Sequence, residues 1–72
     1  MNTYYIYKYE KEHEVVYIGQ SINLKNRIKQ HEKEVKFQPY LNSEIYYFEC
    51  NSKLEMDNYE YFLINKYHPI LN

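Results

Sequence analysis

The sequence predicts an α+β domain in which a small antiparallel sheet packs against helices. Three stretches rich in aromatic and β-branched residues have the composition of strands. Two further stretches carry apolar side chains at the three- and four-residue spacing of helices. The order along the chain is strand, strand, helix, strand, helix. Because the chain has 72 residues, of which 44% are hydrophobic and 26% charged, we expect residues 1–72 to form one small folded domain.

The first two strands are expected to form a hairpin. Thr3–Tyr9, "TYYIYKY", is the first strand. Val15–Gly19, "VVYIG", is the second, and it ends at the only glycine of the chain. The polar break Glu10–Glu14 between them is short enough for a hairpin loop, so the strands should pair antiparallel.

The length of that loop sets the register of the hairpin. A five-residue loop places Tyr9 opposite Val15. Tyr7 then lies opposite Tyr17, and the two phenols sit side by side on one face of the sheet. Val16 points to the other face, because side chains alternate along a strand. A four-residue loop would separate the two phenols, and the apolar pattern favours the five-residue loop.

The first helix is expected from about Leu24 to Lys33, with Asn23 as its N-cap. Arg27 and His31 are four residues apart and are therefore neighbours on the helix surface. The predicted buried stripe of this helix comprises Leu24, Ile28, His31 and Val35.

The second half of the chain is expected to supply a third strand and a second helix. Phe37–Ser43 is predicted to be irregular, and Glu44–Cys50, "EIYYFEC", is the strand. Ser52 and Glu55 have the spacing of a capping box, which opens a helix over about Lys53–Tyr67. The apolar stripe of this helix comprises Met56, Leu63, Ile64 and Tyr67.

Charge is unevenly distributed along the chain. The net charge is −1, but residues 1–36 hold seven Lys and Arg against five Glu, whereas residues 37–72 hold two Lys against five acids. Within residues 25–36, five basic side chains face two Glu, a balance of +3. Such a basic helix is either a solvated surface or a face that binds phosphate, and the overall charge does not by itself indicate a nucleic-acid-binding protein.

The cysteine count and the apolar runs indicate a cytoplasmic protein. Cys50 has no second cysteine with which to form an internal disulfide, which is typical of a reducing compartment. The start "MNTYYIYKYE" does not resemble a signal peptide, and no apolar run approaches the roughly 18 residues of a membrane helix. We therefore expect no membrane association.

Glu60 lies within the apolar stripe of the second helix, where a carboxylate loses hydration and needs a partner. One interpretation is a salt bridge or an edge position with its head group in solvent. The other is a ligand for a divalent ion. A lone carboxylate suits Mg²⁺, because that ion keeps several waters and takes further oxygen ligands from a phosphate.

Four other side chains are candidates for chemistry. Arg27 is either a surface arginine or a bidentate clamp on a phosphate. His31 is either a core histidine or a hydrogen-bond donor near a phosphate. Tyr7 and Tyr17 are poor bases unless neighbouring cations stabilise a phenolate, because the pKa of a phenol is near 10.

Taken together, these residues resemble the GIY-YIG nuclease family over nearly the whole chain, from residue 4 to residue 72. The fragments that carry the resemblance are "YIY" at Tyr5–Tyr7, "YIG" at Tyr17–Gly19, Arg27 and His31 in the first helix, Glu60 before "FLI", and the terminal "HPILN".

The resemblance implies a fold and an activity. The fold is a small three-stranded antiparallel sheet with strand order 2-1-3, flanked by helices. The activity is that of a metal-dependent DNA endonuclease, which hydrolyses a phosphodiester bond with a tyrosine as general base and one Mg²⁺ or Mn²⁺ per site.

The resemblance also implies roles for individual residues. Tyr17 is the general base, Tyr7 bonds the water or the phosphate, and Arg27 stabilises charge on phosphorus. His31 bonds the phosphate or Tyr17, and Glu60 binds the metal. We expect these groups to share one pocket. The residues expected to contact DNA are Ser21, Lys25, Lys29 and Asn72.

The chain also departs from the family pattern. Tyr5 stands where the first motif has a glycine, and a bulky ring there would narrow the cleft. The acidic second half predicts weak DNA affinity, so a homodimer or a DNA-reading partner protein is expected to assist. The alternative function is a catalytically inactive module of the same fold that binds nucleic acid or a partner.

Overall fold

The computed structural model describes residues 3–72; Met1 and Asn2 lie outside the described residues. Within that range the chain forms three strands, two α-helices and one 3₁₀ helix. Their bounds are β1 Tyr4–Lys11, β2 Glu14–Ser21, α1 Leu24–Glu32, the 3₁₀ helix Val35–Tyr40, β3 Glu44–Cys50 and α2 Lys53–Tyr67. The sheet is antiparallel with the order β2-β1-β3. The predicted α+β class and the implied strand order are therefore confirmed.

The hairpin between β1 and β2 is tighter than the sequence suggested. The strands run on to Lys11 and restart at Glu14, so the loop has two residues and the prediction of five is wrong. Both loop residues, Glu12 and His13, have positive φ angles, of 51° and 67°. This is the backbone of a two-residue hairpin turn whose twist matches that of the strands.

The register differs accordingly. Tyr9 pairs with Tyr17, and Tyr7 pairs with Gly19, so the predicted pairing of Tyr7 with Tyr17 is wrong. The shift at this end of the hairpin is two residues, and an even shift leaves each side chain on its original face. The two phenols therefore still share one face, as expected, with their ring centroids 6.0 Å apart.

A bulge in β2 explains why Val16 does not lie on the face of the sheet that was predicted for it. Tyr9 pairs with Tyr17 but the next residue of β1 pairs with Val15, so Val16 is the extra residue. The bulge interrupts the alternation of side chains. Val16 consequently packs in the same cluster as Tyr9 and Phe37 and not on the opposite face, where alternation had put it.

Two clusters of buried side chains lie on the two faces of the sheet. Consecutive residues of β1, Ile6 and Tyr7, point to opposite faces and belong to different clusters. The first face, here called the phenol face, packs Tyr7, Tyr9, Val16 and Phe37. The second, here called the α2 face, packs Ile6, Cys50 and Met56 with Leu63 of α2.

The first helix begins as predicted and ends one residue early. Asn23 Oδ1 accepts from the backbone N–H of Asn26 at 3.2 Å, which confirms the N-cap. Val35, predicted for the buried stripe, is 86% exposed, because the chain has left the α-helix by that point. Phe37, in the stretch predicted to be irregular, is fully buried in the 3₁₀ helix.

The second helix has the predicted bounds. Ser52 Oγ accepts from the backbone N–H of Glu55 at 3.1 Å. The Glu55 carboxylate accepts from the N–H of Asn51 at 3.2 Å, one residue before the position expected for a capping box. His68 ends the helix in the left-handed conformation, with φ of 47°, just before Pro69. Among residues 3–72, neither helix has the length and apolar character needed to cross a membrane.

Candidate active site

Two tyrosine rings lie over the only glycine of the chain. Tyr7 is on the central strand β1, and Tyr17 is on the outer strand β2. A Cβ atom at position 19 would come 2.6 Å from Cζ and Oη of Tyr7 and 2.7 Å from Cε2 of Tyr17. Glycine is therefore required there, because the two rings occupy the space that any other side chain would need.

The two phenols differ in exposure. Tyr7 is 1% exposed, whereas Tyr17 is half-buried. Burial raises the pKa of the Tyr7 hydroxyl well above its ordinary value of 10; the nearby Tyr17 adds to the effect and Arg27 opposes it. Tyr7 therefore remains a neutral phenol inside the domain, and Tyr17 is the ring of the pair that reaches solvent.

His31 is buried against Tyr7. The Tyr7 hydroxyl and His31 Nε2 are 2.6 Å apart, and His31 is 1% exposed. Its imidazole stacks on the Phe37 ring with centroids 4.1 Å apart and planes inclined by 27°. Burial lowers the pKa of His31, against the opposing effect of the Glu34 carboxylate. His31 is thus part of the packed core as well as a partner of Tyr7.

Arg27 lies at the solvent edge of this cluster. Its guanidinium donates to Gln30 Oε1 at 3.1 Å, and the side chain is exposed on α1. The neighbouring Tyr7 hydroxyl, and after it Tyr17, raise the pKa of Arg27 above its already high value. A permanently charged group therefore stands beside both phenols, where it would attract an anion.

Glu60 is not in the pocket formed by these residues. It belongs to α2, which packs on the α2 face, and its carboxylate accepts from Gln20 Nε2 at 2.8 Å. Gln20 pairs with Ile6 in the sheet and so points to the α2 face as well. The expectation that Glu60 shares one pocket with Tyr7 and Tyr17 is therefore wrong. The reason is that α2 covers the reverse of the sheet.

The hydrogen bond from Gln20 nevertheless joins Glu60 to the part of β2 that lies next to the phenols. Gln20, its partner, directly follows Gly19, which lies under both rings. The partner is a neutral amide, and within residues 3–72 the ion pairs found do not include Glu60. No group of three potential ligands from His, Cys, Asp and Glu comes together in that part of the chain. A hard ion with mostly water ligands fits such a half-buried carboxylate.

Of the four residues expected to contact DNA, two have structural bonds. Ser21 Oγ accepts from the backbone N–H of Asn23 at 2.9 Å, which supports the start of α1. The Asn72 amide accepts from Ile18 N–H at 2.8 Å and donates to Ile18 C=O at 2.7 Å. Asn72 therefore binds the chain end to β2, and its amide does not point freely to solvent. The other two, Lys25 and Lys29, are exposed on α1.

Some residues of this site were missed in the sequence. Glu34 accepts from His31 Nδ1 at 2.9 Å, and its position three residues after a histidine on a helix could have indicated this. Lys36 places its ammonium 5.6 Å from the Tyr17 ring centroid. Phe37 stands between Val35 and Leu41, which are exposed, so the sequence held no signal that singled it out for burial. Tyr5, which the sequence had already marked as the departure from the motif, packs edge-on against Tyr47, at 5.8 Å between centroids.

Comparison with known proteins agrees with this architecture. The model of the GIY-YIG catalytic domain family matches residues 1–72, the whole chain. The chain therefore belongs to the GIY-YIG family, which implies a nuclease-type function; such domains are typically endonucleases and act on DNA. Comparisons with curated proteins and with solved structures gave no significant match.

Proposed function

We propose that this chain is a metal-dependent DNA endonuclease that hydrolyses one phosphodiester bond per site. The observation that carries the proposal is the cluster over Gly19, in which the half-exposed Tyr17 lies beside the exposed Arg27 and above a buried Tyr7–His31 pair. A phenol that reaches solvent next to a permanent cation is the arrangement that water activation by tyrosine needs.

In this proposal Tyr17 accepts the proton of the attacking water. Arg27 stabilises the negative charge that grows on the phosphate oxygens, with two N–H groups in a fork that suits them. Tyr7 holds the Tyr17 ring in place from the interior and does not itself touch the phosphate, because it is buried. His31 influences the reaction only through its hydrogen bond with the Tyr7 hydroxyl.

Glu60 is the residue that would hold a single Mg²⁺ or Mn²⁺, which supplies charge neutralisation to the phosphate and the leaving oxygen when bound. Support comes from its half-buried carboxylate, which has a neutral amide for a partner. Because β2 is an outer strand, a phosphate at its free edge can meet Tyr17 from one face and Glu60 from the other.

The basic side chains of α1 guide the DNA in this proposal. Lys25 and Lys29 are exposed on the helix that carries Arg27, and Lys36 stands beside Tyr17. So few phosphate contacts predict weak, salt-sensitive binding. We therefore propose that a homodimer or a DNA-reading partner protein strengthens binding, and that the protein works in the cytoplasm.

Nicking of a supercoiled plasmid in the presence of Mg²⁺ or Mn²⁺ tests the proposal. We expect wild type to nick, Tyr17→Phe and Glu60→Gln to lose nicking, and the matched control Tyr61→Phe, on the exposed surface of α2, to retain it. Binding of Mn²⁺ measured by electron paramagnetic resonance should weaken in Glu60→Gln. Metal binding that is equal in wild type and Glu60→Gln would refute the metal assignment independently of activity.

One observation favours the alternative of an inactive module that binds nucleic acid or a partner. Glu60 belongs to the reverse face of the sheet from Tyr17. If wild type cuts no DNA with any divalent ion but shifts a labelled oligonucleotide in a gel, the alternative replaces the nuclease. Cutting only after a partner protein is added would instead identify this chain as the cleavage unit of a complex.

A further inference from the structure

Three side chains form a hydrogen-bonded chain that runs from the surface to the phenols. The Glu34 carboxylate is 2.9 Å from His31 Nδ1, and His31 Nε2 is 2.6 Å from the Tyr7 hydroxyl. Both nitrogens of the imidazole are thus engaged. Glu34 is the half-exposed end of the chain, and Tyr7, at 1% exposure, is its buried end.

The chemistry of these groups fixes the direction of each bond. An ionised carboxylate only accepts, so the hydrogen in the Glu34 bond must be on His31 Nδ1. A neutral imidazole has one N–H, which leaves Nε2 as an acceptor. The Tyr7 hydroxyl must therefore donate to His31. The lone pairs of the Tyr7 oxygen are then left for a donor on the solvent side, where the neighbouring Arg27 guanidinium can only donate.

We propose that Glu34 is a positioning residue of this site: it holds His31 in the Nδ1-protonated form, so that Tyr7 donates to His31 and its oxygen accepts from the Arg27 guanidinium. The catalytic consequence rests on the proposed nuclease function. A guanidinium only donates, so a Tyr7 oxygen that accepts can hold Arg27 where it stabilises the charge on the phosphate. The opposite tautomer, with Nε2–H donating to Tyr7, would occupy one of the lone pairs that Arg27 needs.

The aromatic rings packed around His31 hold its imidazole in this orientation. Its ring stacks on Phe37 and has the Tyr9 and Tyr17 rings edge-on, at centroid distances of 5.8 and 5.1 Å. The charged groups that act on the imidazole are Glu34, Arg27 and Lys36. Glu34 is the only carboxylate among them, so it is the group that selects which nitrogen carries the hydrogen.

Glu34→Gln tests this directly, because a glutamine amide can donate to Nδ1 as well as accept from it. We expect the ¹⁵N NMR spectrum of wild type to show His31 protonated at Nδ1 and unprotonated at Nε2. In Glu34→Gln the Nε2-protonated form should appear. Plasmid nicking should lose at least about tenfold in kcat with little change in KM, because a displaced Arg27 stabilises the transition state less.

Two further variants complete the test. Glu34→Asp, which keeps the carboxylate, should restore much of the Nδ1-protonated form and of kcat. Glu32→Gln, an exposed glutamate of α1, is the matched control and should resemble wild type in both measurements. Thermal melting of each variant confirms that the fold is retained.

The outcomes separate this inference from the proposed function. An Nε2-protonated His31 in wild type, or an unchanged tautomer or kcat in Glu34→Gln, would overturn the role of Glu34. If wild type cuts no DNA, the nuclease proposal fails. The NMR comparison then decides alone whether Glu34 sets the tautomer.

Discussion

Gly19 lies directly beneath the ring of Tyr7, so closely that a Cβ atom on residue 19 would come 2.6 Å from the ring carbon that bears the hydroxyl. Tyr7 cannot move aside, because it is almost completely buried in the sheet and is hydrogen-bonded to His31. The one glycine of the chain is therefore a packing requirement of the site, and its backbone φ is not positive.

Gly19→Ala should consequently destabilise the domain. The added methyl group has to displace two aromatic rings, and overpacking of this kind costs about 1–3 kcal/mol in the free energy of unfolding. Urea denaturation measures the effect, and nicking should fall in parallel because Tyr17 moves. An alanine variant as stable as wild type would show that the rings are free to shift.

Arg27→Ala should lower the turnover of DNA cleavage by about 10²–10³-fold, the usual cost of removing one charge-stabilising donor from an active site. The melting temperature should change little, since the side chain is exposed. Arg27→Lys keeps the charge without the fork and should recover only part of the rate. Lys33→Ala, at the C-cap of the same helix, is the control. A large loss of stability in Arg27→Ala would show that the arginine supports the fold and not the reaction.

Phe37→Ala should destabilise the domain by about 3–5 kcal/mol, because Phe37 is completely buried between His31 and Tyr9. A chain of this length has a total stability of only about 4–11 kcal/mol, so partial unfolding at 37 °C is expected. Phe62→Ala removes an equal side chain that is 59% exposed, and it should cost less than about 0.5 kcal/mol. Circular dichroism melts of the pair compare the two sites.

His31 should make the stability of the domain depend on pH. Burial lowers its folded pKa below the ordinary value of 6.5, so the unfolded chain binds a proton more readily than the folded one. The stability is therefore fully present above pH 6.5 and falls as the pH decreases from there toward the folded pKa.

His31→Gln should make the free energy of unfolding depend less on pH in this range, whatever its effect on overall stability. His13→Asn, in the exposed hairpin turn, is the control; asparagine tolerates the positive φ of that position. Urea midpoints between about pH 5 and 7.5 give the comparison. The same slope in wild type and His31→Gln would show that another group is responsible.

Asn72→Ala should cost about 1–2 kcal/mol in stability, because both hydrogen bonds to Ile18 are lost. The exposed Asn58→Ala, on α2, is the matched control. If Asn72 acts only through β2, kcat/KM should be close to normal at temperatures where the variant is folded. A large rise in KM for DNA with unchanged stability would instead restore the role in substrate binding that the family resemblance implied.

The elements of the fold were predictable because their signals are local. Asn23 and Ser52 each cap a helix through a backbone N–H three residues away, and such short contacts can be recognised in the sequence. The bounds of β3 and α2 followed from composition and periodicity. The shared face of Tyr7 and Tyr17 was also predicted, since alternation alone fixes it once the hairpin is assumed.

The register was not predictable, because it depends on a two-residue turn of non-glycine residues and on the bulge at Val16. Glu12 and His13 are not the Asn-Gly or Asp-Gly pair that usually marks a two-residue turn with positive φ. The burial of Phe37 also depended on where the 3₁₀ helix returns the chain to the sheet.

The amino-acid order by itself determined that the two phenols share one face of the sheet and that Arg27 and His31 are neighbours on one helix, because strand alternation and helix spacing are properties of the local chain. Their meeting in one site was implied by the family resemblance. Only the tertiary structure decided that Glu34 joins them through His31 and that Glu60 lies with α2 on the reverse face. Those two outcomes depend on which side of the sheet each helix covers, and that is set by long-range packing of apolar side chains.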